Sequence, residues 1–214
     1  MNIFALSRNP FTSVLQMIDK HIVKMPTESC QMLHTNDLFN EFVLRFGYEP
    51  SLAKLKEYHE ESGSILMKPA MLNHPSTIWA RQNIDNTIWL YHHALALCDE
   101  YTHRYGKRHG TQDRILQTSV DFDGDWTLAT PISIAMFDVY RLNREDYPKL
   151  TDWEFVEKSY QHYYLEAKWS FANWKGRDKP TWWPKDHISK KYAPVREAYQ
   201  RKIKEYRRNV IEGL

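Results

Sequence analysis

Two cysteines and seven glycines among 214 residues set the first limits. Cys30 and Cys98 lie far apart, with no CxxC spacing. That excludes a disulfide scaffold and a zinc-cysteine site, and it fits a reducing compartment. Scarce glycine and scarce β-branched runs point away from a β-sandwich or a doubly wound sheet. No apolar run approaches a membrane span, and the opening MNIFAL is too short for a signal-peptide core and lacks a basic flank. No Walker loop, GxGxxG or GxSxG occurs, which disfavours kinase, dinucleotide-binding and α/β-hydrolase readings. Net charge is only +2 with histidines neutral, so overall charge gives no argument for nucleic acid. The expectation is a soluble cytoplasmic protein with no membrane contact.

What is present is enough apolar residue for one core, 42%, and an aromatic excess that includes 8 Trp and 13 Tyr. The periodicity predicts an all-α fold. One domain over 1–214 should form a bundle around a central buried helix, with any strand confined to a short N-terminal segment at 1–6. Asn9-Pro10 opens a helix expected to run to Phe46, kinked or split near His21–Met25 by Pro26, and ended by Gly47. A charged helix follows at Ser51–Glu61. Asn73-His74-Pro75 starts one long helix or two closely spaced ones over Ser76–Tyr105, closed by Gly106. Thr151, with Glu154 as capping-box partner, starts a helix to Trp174, and a last charged helix is expected at 194–212.

The stretch DKHIVKMPTESCQ at 19–31 carries the first candidate site. At 100° per residue, His21, Lys24, Glu28 and Gln31 form one polar stripe. Leu15, Ile18, Ile22, Met25 and Met32 form an apolar stripe beside it. A histidine, an amine and a carboxylate on the margin of a core-facing surface are an acid, a base and a nucleophile within reach of one another. Glu28, His21 and Lys24 are therefore the catalytic candidates, facing a pocket shared with the Arg81–His103 helix. The plainer account of the same spacing is a polar flank with a Lys24–Glu28 pair.

The central helix carries a second set. His92, Asp99 and His103 share one face, and His93, Glu100 and Arg104 another. H-E-x-x-H is absent, the DFDGD loop at 121–125 lacks the EF-hand pattern, and no metal or cofactor is expected. Arg81, Asn86, His92, Glu100 and Arg104 are candidates for holding an anionic ligand. A third set lies in the aromatic-basic segment at 168–214, where Lys175, Arg177, Lys179, Trp182, Trp183 and Lys185 alternate cations with rings. Rings stack on unpaired bases and cations neutralise phosphates, so DNA is the expected partner. Packing of the tryptophans into the bundle, with solvated charges, is the competing reading. The sequence leaves the oligomeric state unknown.

The combination of DKHIVKMPTESCQML, NHPSTIWARQNIDNTIWLYHHALALCDEYTHRYGKRH and YYLEAKWSFANWKGRDKPTWW resembles a group of bacteriophage-encoded proteins that carry no assigned activity. If the chain is phage-encoded, the compartment is the infected host cell's cytoplasm. A second resemblance is to the pyrimidine-dimer DNA glycosylase family of the endonuclease V type. It rests on Asp19, His21 and Glu28 in an early helix, on a histidine-containing helix start at His74, and on Glu100, Arg104 and Gly106 ending a long helix. The resemblance implies an all-helical DNA-binding protein. In that family the α-amine of a processed N-terminus attacks the sugar and forms a Schiff base. Glu28 would then act as acid/base and stabilise the cationic sugar, with Asp19, Gln31, His74 and the central-helix residues on the substrate. Two departures stand out. Asn2 disfavours removal of Met1, which leaves Lys24 as a substitute amine. An arginine-rich early helix is also missing, with Lys20 and Lys24 its only cations. Base excision is the leading function. A transferase attaching an amino acid or polyamine to modified thymine in phage DNA would need the same groups, and a non-enzymatic DNA-binding or host-interaction protein is the remaining alternative.

Overall fold

A computed structural model describes residues 1–120 and 123–185, with Pro194, Glu197, Ala198 and Arg201 beyond them. The helix expected at 194–212 otherwise lies outside the described residues. Among the described residues every regular element is helical. The order is α1 (Pro10–Leu15), α2 (Asp19–Phe46), α3 (Leu52–Glu61), α4 (Pro75–Arg81), α5 (Ile84–Tyr105), α6 (Gln112–Ile115) and α7 (Asp152–Tyr163). No helix among them is long and apolar enough to cross a membrane.

α5 is the central helix. Trp89, Leu90, Ala94, Leu97 and Cys98 are fully buried, and α5 packs on α1, α2 and α4. Asn83 caps its start, and Gly106, at φ 66°, ends it in the left-handed conformation that a glycine adopts without strain. The segment 76–105 is two helices, because Asn83 and Gln82 interrupt the ladder and His74 caps the first piece through its own ring nitrogen. A smaller core of Leu38, Phe39, Phe42, Leu55, Tyr58 and Leu72 joins α3 to the outer half of α2.

Two boundaries differ from the sequence expectation. The break in the first helix falls at residues 16–18, ahead of Asp19, and α2 runs unbroken through Pro26. Pro26 is buried within a 28-residue helix, so the surrounding packing offsets the hydrogen bond that its ring removes. Leu15, placed in the apolar stripe, is 44% exposed, because the break rotates α1 away from the α2 register. The helix starting at Thr151 has the expected capping box but leaves α-geometry after Tyr163, continuing as a π-turn at Tyr164–Lys168 and a 3-10 turn at Trp169–Phe171.

Residues 1–6 form an extended arm, not a strand, and the arm is nearly all buried. Asn2 fixes it. Its Oδ1 accepts from the backbone N–H of Ile3 at 2.8 Å and of Phe4 at 3.3 Å, and from the Tyr160 hydroxyl at 2.9 Å. Its Nδ2 donates to the Ala135 carbonyl. The tight bend places Phe4 at φ 55°, a strained conformation for a bulky residue. The Phe4 ring is repaid by stacking on His21, with centroids 4.1 Å apart.

Candidate functional site

The arm crosses the start of α2 and leaves a pocket of about 410 Å3 between them. His21, Lys24 and Glu28 line one wall, Met1, Asn2 and Phe4 another, and His74 a third. The far side comes from the C-terminal half: residues 135–137, Tyr163 and Lys168.

Glu28 is the focus. Its side chain is 16% exposed, and Lys24 Nζ lies 2.7 Å from Oε1, one helical turn back. Oε2 accepts from the backbone N–H of Asn2 at 3.1 Å, and the Met1 amino nitrogen lies 3.8 Å from the same oxygen. A carboxylate thus sits between an α-amine and a lysine amine at a pocket wall. His74, opposite, has its pKa lowered by burial and then by the charge of the Met1 amine, while Glu28 acts the other way.

His21 is buried deeper. Nδ1 is hydrogen-bonded to the Tyr164 hydroxyl at 2.6 Å, and the ring lies edge-on to Tyr164 and flat on Phe4. Burial, and then the positive charges of Lys168 and Lys24, push its pKa down to about 3. The ring is therefore neutral at ordinary pH and holds the arm and the π-turn in place. Lys168 projects from that π-turn over the Tyr163 ring at 4.8 Å and the Phe4 ring at 5.9 Å. Burial and the repulsion of Lys24 lower its pKa, and among the described residues no carboxylate forms a salt bridge with it. Irregular turns of this kind are frequent at functional sites.

The structure brings His21, Lys24, Glu28 and His74 together at this pocket and leaves the other candidates elsewhere. No residue from 81–103 lines it. Gln31 lies beyond it on α2, half-buried. Arg81 donates from Nη1 to the Leu72 carbonyl at 2.8 Å and stacks on Phe39. Asn86 is fully buried, bonded to Thr130 and the Trp79 carbonyl. His92 is half-buried against Phe11. Among the described residues no group of three His, Cys, Asp or Glu side chains is placed to hold a metal ion.

Asp19, Glu100 and Arg104 form a separate network. Arg104 donates from Nε to Glu100 at 2.7 Å and from Nη1 to Asp19 at 2.8 Å and to the Met17 carbonyl. Arg177 completes it, with two bonds to the Glu100 carboxylate at 3.0 and 2.8 Å. Asp19 also accepts from the backbone N–H of Lys175 and from the Asn173 side chain. The network straps the 173–177 segment to the bundle. Trp182 is half-buried, with its indole N–H on Gln16, and packs against Trp183. Lys175, Lys179 and Lys185 are exposed.

The pocket residues that sequence reasoning missed are Met1, Asn2, Phe4, Tyr163 and the 135–137 loop. The arm meets the 135–137 loop and Tyr163 only through contacts that span most of the chain. The sequence signal available was an asparagine set in the apolar opening MNIFAL. Lys168 was visible only as one cation of an aromatic-basic segment.

A family model described as pyrimidine dimer DNA glycosylase matches residues 1–113. The match covers the arm, α2 and α5, and stops before the loop and the π-turn that close the pocket. No curated protein and no solved structure matches the chain.

Proposed function

The chain belongs to the pyrimidine dimer DNA glycosylase family, and from that premise we propose that it excises a damaged pyrimidine from DNA at the Glu28 pocket. The observation that carries the reading is the position of Glu28, with Oε2 reached by the Met1 amine at 3.8 Å and by the Asn2 backbone nitrogen at 3.1 Å. A neutral amine there attacks C1′ of the damaged nucleotide. The N-glycosidic bond breaks, and the base leaves with its bonding electron pair and takes a proton from water. The nitrogen lone pair then forms C1′=N as the C1′–O4′ bond opens, and O4′ keeps that bond's electrons and takes up a proton, giving a Schiff base between amine and sugar. The Glu28 carboxylate stabilises the cationic sugar as it develops, then takes the proton that the attacking amine sheds and passes it to O4′ as the ring opens.

Either of two nitrogens supplies that amine. The Met1 nitrogen lies 3.8 Å from Glu28 Oε2. Removal of Met1 would expose the Asn2 nitrogen, which already lies within hydrogen-bond distance of the carboxylate. Lys24, paired with the other oxygen and largely exposed, offers a cation to the DNA backbone. Lys168 adds a second positive charge across the pocket. His21 positions the arm, because a ring with a pKa near 3 exchanges no proton at neutral pH.

The test is incision of ultraviolet-irradiated duplex DNA. Release of the damaged base, followed by strand breakage at the same nucleotide, supports excision. Tight DNA binding with neither product would favour the binding-module alternative.

A further inference from the structure

A short turn at the pocket rim carries two apolar side chains into solvent. Phe137 lines the pocket and is 57% exposed, and Val139 is 63% exposed. Isolated exposed apolar residues are ordinary on a protein surface. These two differ in how firmly their turn is held. Tyr140 is buried, and its backbone N–H closes the turn on the Phe137 carbonyl at 2.9 Å. Arg141 donates to the Ile134 carbonyl at 3.1 Å and to the Met136 carbonyl at 3.3 Å. Ala135 is bound on both sides, its carbonyl by Asn2 and its N–H by the Tyr160 hydroxyl at 3.2 Å. The turn is thereby tied to the same asparagine that fixes the arm over Glu28.

We propose that Phe137 and Val139 form a wedge that enters the base stack of duplex DNA beside the nucleotide held in the pocket. This rests on the excision reading above. An amine reaches C1′ of a nucleotide within a duplex only where the stack is opened or kinked, and the opening costs free energy. An apolar side chain filling the gap restores contact to the neighbouring bases. A braced turn suits that task, because a loose one would lose conformational entropy on insertion. Lys24 and Lys168 line the same pocket and supply the positive charge that draws the backbone to this face.

Asp138 stands between the two apolar residues with its side chain almost wholly exposed, 3.2 Å from Arg141. A carboxylate at the tip opposes approach to phosphates, and Arg141 offsets that repulsion in part. Asp138→Asn should therefore tighten duplex binding, whereas a turn that never meets DNA would be indifferent to it.

The experiment uses the full chain and a duplex carrying 2-aminopurine next to a pyrimidine dimer, with fluorescence reporting loss of stacking. The wild type should give a clear rise. Phe137→Ala/Val139→Ala should remove most of that rise and weaken duplex binding about tenfold relative to single-stranded DNA. Circular dichroism confirms that the variant is folded. A double variant with the wild-type rise and affinity overturns the wedge, as does a wild type that incises DNA with no rise. A wild type that binds no DNA contradicts the excision reading itself. Light scattering that shows the double variant losing a self-associated state would assign the turn to a contact between copies and overturn the proposal.

Discussion

The backbone N–H of Asn2 donates to Glu28 Oε2 at 3.1 Å, joining the N-terminal arm to the third turn of α2. The bond holds the Met1 and Asn2 nitrogens against the one carboxylate that lines the pocket among the described residues. Everything proposed for the reaction depends on this proximity.

Glu28→Gln keeps the shape of the side chain and removes its charge. Excision should fall by about 10²–10⁴-fold, the usual range for losing an acid/base group. The exposed partner Lys24 limits the stability change to less than about 1 kcal/mol. Rate measurements beside a thermal melt check both halves. Unchanged excision would reduce Glu28 to half of a surface pair.

Asn2→Ala leaves two backbone N–H groups without their side-chain acceptor and the Tyr160 hydroxyl with only the longer bond to the Ser133 carbonyl. Unsatisfied buried groups of this kind cost about 1–3 kcal/mol. Activity should fall further than that loss explains when assayed well below the melting temperature, since the arm no longer fixes the amine on Glu28. Denaturant titration and rate assays on one preparation separate the two effects.

Two buried histidines make the fold acid-sensitive. Burial pushes His21 and His93 down to about 3 from an ordinary 6.5. A lowered histidine pKa means that the unfolded chain takes up the proton first. The stability from these neutral rings is fully present above about pH 6.5 and drains away as pH falls toward 3. Asp37, raised to about 6 by burial, works in the opposite sense and regains stability as pH falls. Melting temperature should nonetheless drop between pH 7 and pH 4, and His93→Phe, which stacks on Trp89 as the imidazole does, should flatten the drop.

Arg177 and its exposed neighbours should separate cleanly. Arg177→Ala strands part of the Glu100 carboxylate and should destabilise the chain by roughly 1–2 kcal/mol, a value reduced by the solvent on its outer side. Replacing Lys175, Lys179 and Lys185 should leave stability alone and flatten the salt dependence of DNA binding by up to about one unit of slope per lost phosphate contact. Melts and salt titrations of the two variants distinguish a strap from a backbone contact.

The helical fold was legible because its signals are local. The Thr151–Glu154 capping box, the helix start at Ser51, and the stops at Gly47 and Gly106 all lie where the sequence placed them, whereas the cap at Asn83 shows only in the structure. Pro26 misled because tertiary packing outweighs its local cost within α2. The stripe of His21, Lys24 and Glu28 was legible from 100° spacing. Its partners were not. Asn2 meets Ala135 and Tyr160, and His21 meets Tyr164, across sequence separations that periodicity does not encode. Glu100, Arg104 and Arg177 looked like ligand-binding charges because spacing cannot distinguish a charge that faces a substrate from one that faces its own counter-ion. Here they bind each other.

The most direct test of the account is borohydride trapping on ultraviolet-irradiated DNA, followed by mass spectrometry of the trapped peptide. The account predicts a covalent adduct on the N-terminal peptide, at Met1 or, after its removal, at Asn2, and no adduct with Glu28→Gln. An adduct on Lys24 or Lys168 would move the nucleophile off the chain's amine, and excision with no adduct at all would contradict the Schiff-base mechanism at this pocket.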